Sequence, residues 1–171
     1  MNRDQAEYLE VITTAHCGRA LQTRVALPKG QRVLEFRGPR LSQAEITEPE
    51  RTLQVSASLY IGPTGSVEDF VNHSCEPSCR LEVDGERLYL VALDDLAEGA
   101  EITFDYATST NLGDGWSMQC HCGAAHCRGV IQDFSLLPEE LQRRYSDLGA
   151  VPPYIRLASS TEQCPTNSSF R

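Results

Sequence analysis

Three cysteines lie within eight residues, in the segment Cys120-His121-Cys122-Gly123-Ala124-Ala125-His126-Cys127. Clustered thiolates suit a soft, tetrahedral ion such as zinc, provided that the backbone between them turns sharply. Glycine supplies that freedom at position 123. Three thiols are one ligand short of a closed structural site. The fourth must come from His121, His126 or a distant cysteine, of which Cys75 and Cys79 are the better candidates. We predict a metal site in preference to ordinary buried thiols.

A second segment that could do chemistry is Phe70-Val71-Asn72-His73-Ser74-Cys75-Glu76-Pro77-Ser78-Cys79. It predicts a polar loop that leaves a strand and holds a histidine close to a cysteine. Such a pair could act as base and nucleophile. Close neighbours in sequence seldom have the geometry of a catalytic pair, so this interpretation ranks low.

Composition limits the setting in which these residues work. The chain has 171 residues, 40% of them hydrophobic, which is enough for one compact domain. There is no apolar run long enough for a membrane span or a secretory signal, so we expect a soluble, intracellular protein, cytoplasmic or nuclear according to the host. Disulfides are not expected there, and seven cysteines could not all pair. The net charge of −9 argues against direct binding of nucleic acid and is compatible with a basic partner.

Local patterns predict a mainly β fold with short helices. Strands are predicted at residues 8–14, 32–36 and 53–61, and a hairpin at residues 81–92 that turns at Asp84-Gly85. Residues 100–106 alternate with a period of two, so Ile102, Phe104 and Tyr106 should share one face. Short helices are predicted after the capping box at residues 42–45 and from Pro138 to Tyr145. The polar end, residues 159–171, is expected to be loosely ordered.

The order of the motifs resembles that of SET-domain protein-lysine methyltransferases with a post-SET zinc motif. The resemblance rests on Asn72-His73-Ser74-Cys75, on Glu101-Ile102-Thr103-Phe104-Asp105-Tyr106 and on the cysteine cluster closing with Arg128-Gly129. An upstream piece, Cys17-Gly18-Arg19-Ala20-Leu21 followed by Pro28-Lys29-Gly30, is similar to the family's glycine-rich cofactor loop. Four motifs in the right order, over residues 8–129, are far more specific than one tetrapeptide.

This resemblance implies a fold and a division of the chain. The fold is β-rich, and the segment around Asn72 meets the strand that ends at Tyr106 in a knot-like crossing. The implied parts are a SET domain at residues 1–108, a zinc-binding post-SET segment at 109–130, a C-terminal helical extension at 131–158 and a polar tail at 159–171.

The resemblance also implies the site residues. S-adenosylmethionine would lie on Cys17, Gly18, Arg19 and Ala20 and on Asn72, His73 and Tyr106. Tyr106 is similar to the family's catalytic tyrosine, and Phe104 would line the channel of the substrate lysine. A phenylalanine there suggests that more than one methyl group can be added. Tyr60 could reach the channel too, although strand packing is its simpler role. One structural zinc would be held by Cys75, Cys120, Cys122 and Cys127.

Two departures from the family pattern leave a second function open. Ala20 stands where a second glycine is common, and Asp69 stands where many relatives place an arginine. Both concern cofactor binding and neither concerns Tyr106 or the cysteines. The expected function is methyl transfer from S-adenosylmethionine to the side-chain amine of a lysine in a protein substrate, such as a basic tail. The alternative is a catalytically weak SET-like module that binds cofactor or a basic peptide.

Overall fold

The structure is a computed structural model that describes residues 5–14, 18–109 and 117–156. The predicted mainly β fold with short helices is confirmed. The described α-helices include Gln5–Tyr8 (α1) and Glu139–Asp147 (α2). The described strands are, in chain order, Leu9–Thr14 (β1), Gly18–Thr23 (β2), Arg32–Phe36 (β3), Arg40–Leu41 (β4), Leu53–Gln54 (β5), Tyr60–Ile61 (β6), Asn72–His73 (β7), Cys79–Asp84 (β8), Arg87–Ala92 (β9), Thr103–Phe104 (β10), Ser117–Gln119 (β11) and Val130–Gln132 (β12).

The larger core is built on a three-stranded antiparallel sheet in the order β3-β9-β8 and on the hairpin β1-β2. Apolar side chains from these strands pack together because strand alternation directs every second residue inward. Leu21, Leu34, Leu81 and Leu90 are almost completely buried in this cluster, and Phe104 joins it. The core therefore reaches the strand that precedes Tyr106.

Two predicted strand boundaries were wrong. The hairpin β8-β9 pairs Asp84 with Arg87, so its turn is Gly85-Glu86 and not Asp84-Gly85. Gly85 has a φ of 62°, a value that favours glycine, and this moves the turn one residue along. In the other case, residues 53–61 form two strands, because the Ser56 hydroxyl accepts the N–H of Leu59 and turns the chain. β5 then pairs back on β6.

A parallel pair of very short strands brings the two functional motifs together. β7 lies beside β10, with Asn72 opposite Thr103 and His73 opposite Phe104. The predicted strand at residues 100–106 keeps regular pairing only at Thr103–Phe104. The hydroxyl of Ser78 accepts the N–H of Thr103 at 2.9 Å and donates to the carbonyl of Glu101 at 2.8 Å. This is the meeting of two segments that the resemblance implies.

The C-terminal part adds a hairpin and a helix around a second, smaller core. β11 and β12 pair antiparallel on either side of the cysteine segment. The helix predicted from Pro138 is confirmed as α2, with Pro138 as its N-cap residue. Tyr145 of α2 packs with Phe134 and Ile155 against Ala107, next to Tyr106. No helix in the described ranges is long and apolar enough to cross a membrane.

Candidate active site and metal centre

His73 and Tyr106 are in direct contact at the crossing of the two segments. The backbone N–H of Tyr106 donates to His73 Nδ1 at 3.2 Å, and the ring centroids are 5.4 Å apart. Burial lowers the pKa of His73 to about 4, although the nearby Asp105 opposes that shift. The imidazole is therefore neutral at pH 7. Because Nδ1 accepts a hydrogen bond, the proton lies on Nε2.

Three of the four predicted thiol ligands, Cys75, Cys120 and Cys122, converge from two parts of the chain, and the fourth, Cys127, lies beside Cys120. Cys120 Sγ lies 3.8 Å from Cys75 Sγ and 3.6 Å from Cys127 Sγ. The Sγ of Cys122 accepts the backbone N–H of Cys75 at 3.5 Å. Tetrahedral zinc–thiolate bonds of about 2.3 Å place sulfur atoms about 3.8 Å apart, so these separations fit a zinc ion.

His73 competes with Cys127 for the fourth position. The donor atoms of His73, Cys75, Cys120 and Cys122 all lie within 4.8 Å of one another. His73 Nε2 is 3.3 Å from Cys75 Sγ. With the proton on Nε2, His73 donates to that sulfur. Cys127 as the fourth ligand stays a prediction.

The other candidate ligands lie in different surroundings. Cys79 belongs to the larger core, where burial raises its pKa to about 11, so its thiol stays protonated. Cys75 and Cys120 instead pack around Ile131. His126 is exposed and its Nδ1 contacts a carboxylate oxygen of Glu76.

Phe104 and Tyr106 line a cavity of about 370 Å³. Tyr106 donates its hydroxyl proton to the carbonyl oxygen of Val71 at 2.8 Å, and its ring lies 4.9 Å from that of Phe104. Val71, Ile61 and Phe36 add apolar walls. Tyr60 is buried in β6 and is not among the described residues that line this cavity, so its role in a channel stays a prediction.

The predicted cofactor segment begins β2, next to Asn72. Cys17 lies outside the described residues. A side chain built at Gly18 would meet no atom within 4 Å, so there is open space at this point. Asn72 donates from its amide to the carbonyl of Arg19 at 3.0 Å, and Arg19 lies over the ring of Phe70. Exposed backbone beside open space fits an extended ligand.

The two departures from the family pattern are both placed away from this open space. Ala20 is completely buried, so its methyl group lies in the protein interior. Asp69 accepts hydrogen bonds from the N–H of Gly65 at 2.6 Å and from Arg51 at 2.8 Å. It therefore orders the loop before β7 on the cavity side.

A buried network that the sequence did not reveal holds the residue before Tyr106. Arg128 binds both carboxylate oxygens of Asp105, at 2.7 and 2.8 Å, and Tyr145 donates to the same carboxylate at 2.6 Å. Burial opposes the charge on Arg128, but the bonds to Asp105 outweigh it and raise its pKa. The backbone N–H of Arg128 also donates to Cys75 Sγ at 3.4 Å. The network thus joins α2, the cysteine cluster and the Tyr106 segment.

The chain belongs to the SET domain family, whose sequence model matches residues 18–107. The family predicted from the motifs is thereby confirmed. Among curated proteins the chain is similar to "Histone-lysine N-methyltransferase NSD3" of Mus musculus, 34% identical over 71% of this chain, and to "Histone-lysine N-methyltransferase ash1" of Drosophila melanogaster, 33% identical over 72%. It spans 10% and 6% of those two proteins.

Among solved structures, the chain resembles that of KRYPTONITE in complex with mCHH DNA, H3(1-15) peptide and SAH. The TM-score is 0.60 with 27% identity, and the match covers 72% of this chain and 29% of that one. A second KRYPTONITE structure, with mCHG DNA and SAH, gives a TM-score of 0.61. The SET-type fold expected from the sequence is therefore confirmed.

Proposed function

We propose that this chain transfers methyl groups from S-adenosylmethionine to the side-chain amine of a lysine in another protein. The observation that carries the proposal is the placement of Tyr106. The parallel pair β7-β10 brings it against His73 at the crossing and into the wall of a cavity of about 370 Å³. Family membership and the names of the curated relatives support the same activity.

The cavity supplies what the amine needs before reaction. A free lysine has a pKa of about 10.4, so removing its proton at pH 7 costs roughly 4–5 kcal/mol. The apolar part of the wall disfavours the charged ammonium and reduces that cost. Phe104 and Val71, both buried, belong to this part of the wall. S-adenosylmethionine supplies the electrophilic methyl group and a positive charge that opposes a second cation nearby.

Tyr106 would orient the amine by accepting its hydrogen bond. Its own hydroxyl proton is engaged by the carbonyl of Val71, which fixes the position of the phenol oxygen at the cavity wall. An amine N–H held in this way directs the nitrogen lone pair along one line. Methyl transfer is an in-line displacement, so this alignment is the main contribution of the protein.

The proposed zinc is structural and has no part in the chemical step. Four cysteine thiolates close a tetrahedral site and leave no position for water. The ion would hold Cys75, two residues after His73, against the post-SET segment. It would thereby hold the two crossing segments in place, and with them Tyr106.

The proposed substrate is a basic protein segment such as a histone tail. The relatives' names include histone-lysine methyltransferases, and the net charge of −9 favours a basic partner. The proposed location is intracellular, in the cytoplasm or, in a eukaryotic host, the nucleus. The absence of direct nucleic-acid binding stays a prediction, since the KRYPTONITE structures contain DNA.

The test is to incubate the protein with methyl-labelled S-adenosylmethionine and a panel of purified lysine-rich proteins that includes core histones. We expect label in at least one protein, in an acid-stable form attached to lysine. Equilibrium binding of the cofactor is measured on the same preparation. If the protein binds the cofactor but transfers no label, the alternative function, a catalytically weak SET-like binding module, would be favoured.

A further inference from the structure

Glu68 lines the Tyr106 cavity and is a buried acid with one unpartnered carboxylate oxygen. The residue is 6% exposed, and its Oε2 atom has no hydrogen-bond partner in the described structure. It lies in a short 3-10 turn, Val67–Phe70, just before β7. Burying a carboxylate without a partner is costly. A ligand that supplied the missing hydrogen-bond partner of the carboxylate would offset this cost, and its binding would be favoured.

The other charged groups around the cavity do not satisfy Glu68. Arg51 is the one cation among the residues that line the cavity, and it pairs with Glu48 and Asp69, each at 2.8 Å. Asp69 is further held by the N–H groups of Thr64 and Gly65. Glu50 lies on the same wall but is exposed. The cavity therefore has more negative than positive charge, and its buried acid is the one left without a partner.

We propose that Glu68 forms a subsite for a second basic side chain of the substrate, one that flanks the methylated lysine. This inference rests on the proposed function, since it gives the methylated substrate a second basic side chain next to the reacting lysine. A guanidinium suits the subsite best, because it is weakly hydrated, always charged and able to bind a carboxylate through two N–H groups. The last torsion of a glutamate is soft, so the carboxylate can turn towards a ligand.

The methylated lysine itself is a poor partner for Glu68. A carboxylate beside the amine would favour the ammonium form, whereas methyl transfer needs the neutral amine. A flanking cation gains the same attraction without opposing the reaction. Glu68 is thus expected to act on substrate affinity and to leave the chemical step unchanged.

The experiment compares synthetic peptides that contain one lysine and, at each neighbouring position in turn, either arginine or citrulline. Citrulline keeps the shape of arginine and removes the charge. Binding is measured by fluorescence anisotropy with S-adenosylhomocysteine present, and methyl transfer is measured as KM and kcat. Wild-type protein should favour arginine over citrulline at one position by roughly tenfold or more in both Kd and KM, with similar kcat.

Two variants separate this subsite from general charge effects. Glu68→Gln should lose the preference for arginine, while its affinity for the citrulline peptide stays unchanged. Glu50→Gln, the matched control on the exposed rim, should retain the preference. Thermal unfolding should show Glu68→Gln to be at least as stable as wild type, because no partner of the carboxylate is lost.

Each outcome decides the proposal. Equal binding of arginine and citrulline peptides by wild type would overturn it, whatever the variants do, and so would a preference that survives Glu68→Gln. If both peptides are methylated with equal KM, the subsite fails and the proposed function stands. If no peptide is methylated but the Glu68-dependent preference is seen in binding, the subsite stands and the proposed function fails.

Discussion

At the scale of single residues, the hydroxyl group of Tyr106 is expected to decide the activity. Tyr106 donates to the carbonyl of Val71 and lines the cavity. Tyr106→Phe removes the hydroxyl, and with it the bond to Val71 and the proposed bond to the amine, without changing the ring. We expect kcat to fall roughly 10²-fold or more, because a misplaced nucleophile costs that much. The unfolding free energy should fall by about 1 kcal/mol from the lost bond.

The control for this variant is cofactor affinity. S-adenosylhomocysteine binding, measured by calorimetry, should stay within a few-fold of wild type. Unchanged turnover in Tyr106→Phe would remove this residue from the proposed role.

Phe104 is expected to set how many methyl groups are added. It is 2% exposed and packs edge-on against Phe36 with ring centroids 6.4 Å apart. Phe104→Tyr adds a hydroxyl to a side chain that lines the cavity and should leave less room for a methylated amine. Mass spectrometry of the product should show fewer methyl groups per lysine than with wild type. An unchanged product distribution would contradict this role.

Sequence patterns located the residues that form motifs and missed those that act alone. Tyr106, Cys75 and the clustered cysteines stand in recognisable spacings, so the amino-acid sequence was enough to name them as candidates. Glu68 and Tyr145 stand in no such spacing. Glu68 matters because its carboxylate oxygen lacks a partner, and Tyr145 matters because it contacts a residue 40 positions away. Both features arise only after folding.

At the scale of elements, α2 is expected to stabilise the segment that contains Asp105 and Tyr106. Tyr145 donates to Asp105, and burial together with that carboxylate raises the pKa of the phenol, so it remains a donor. Tyr145→Phe should cost about 1.5–3 kcal/mol of unfolding free energy, as for a bond to a charged group. We also expect kcat to fall more than KM rises, because Asp105 precedes Tyr106.

A matched control is Tyr89→Phe in β9. The Tyr89 hydroxyl receives a long bond of 3.4 Å from Arg87, and Tyr89 lines a different cavity from that of Tyr106. Its kcat should equal that of wild type. Equal kcat in Tyr145→Phe as well would reduce α2 to a packing element.

The proposed zinc site is the second structural element whose removal can be tested. Zinc content should be one ion per chain, and X-ray absorption should report four sulfur neighbours at about 2.3 Å. Cys122→Ser should lose the ion and lower the temperature of unfolding, since metal binding stabilises the folded chain. Cys79→Ala should retain it, although its cavity also lowers stability. A nitrogen neighbour would assign His73 in place of Cys127.

Strand boundaries show why element prediction was partly wrong. Alternation at residues 100–106 correctly placed Ile102 and Phe104 inward. The other face is buried as well, with Thr103 and Asp105 almost inaccessible, because it meets Ser78, Arg128 and Tyr145. Period-two patterning describes a strand with one buried face, and it does not apply where both faces are covered.

At the scale of the whole molecule, charge is expected to govern encounter with the substrate. The chain carries −9, and a basic tail would be attracted over a Debye length of about 10 Å at 0.1 M salt. KM for a basic protein substrate should therefore rise with ionic strength while kcat changes little. Steady-state kinetics over a salt series would check this. A salt-independent KM would contradict electrostatic attraction.

The larger and the smaller core meet at the segment that contains Tyr106. Phe104 belongs to the larger core and Ala107 to the smaller one, so Tyr106 lies at the junction between them. This arrangement ties the orientation of one side chain to most of the described fold. The predicted domain division, residues 1–108, 109–130, 131–158 and 159–171, stays a prediction.

Methyl transfer to lysine is the activity proposed for this arrangement. The most direct measurement is mass spectrometry of core histones incubated with the wild-type protein and S-adenosylmethionine, with each modified residue located by fragmentation. We expect methyl groups on lysine side chains, lost when Tyr106 is replaced by phenylalanine. Unmodified lysines in the presence of bound cofactor, or methyl groups on another type of residue, would contradict it.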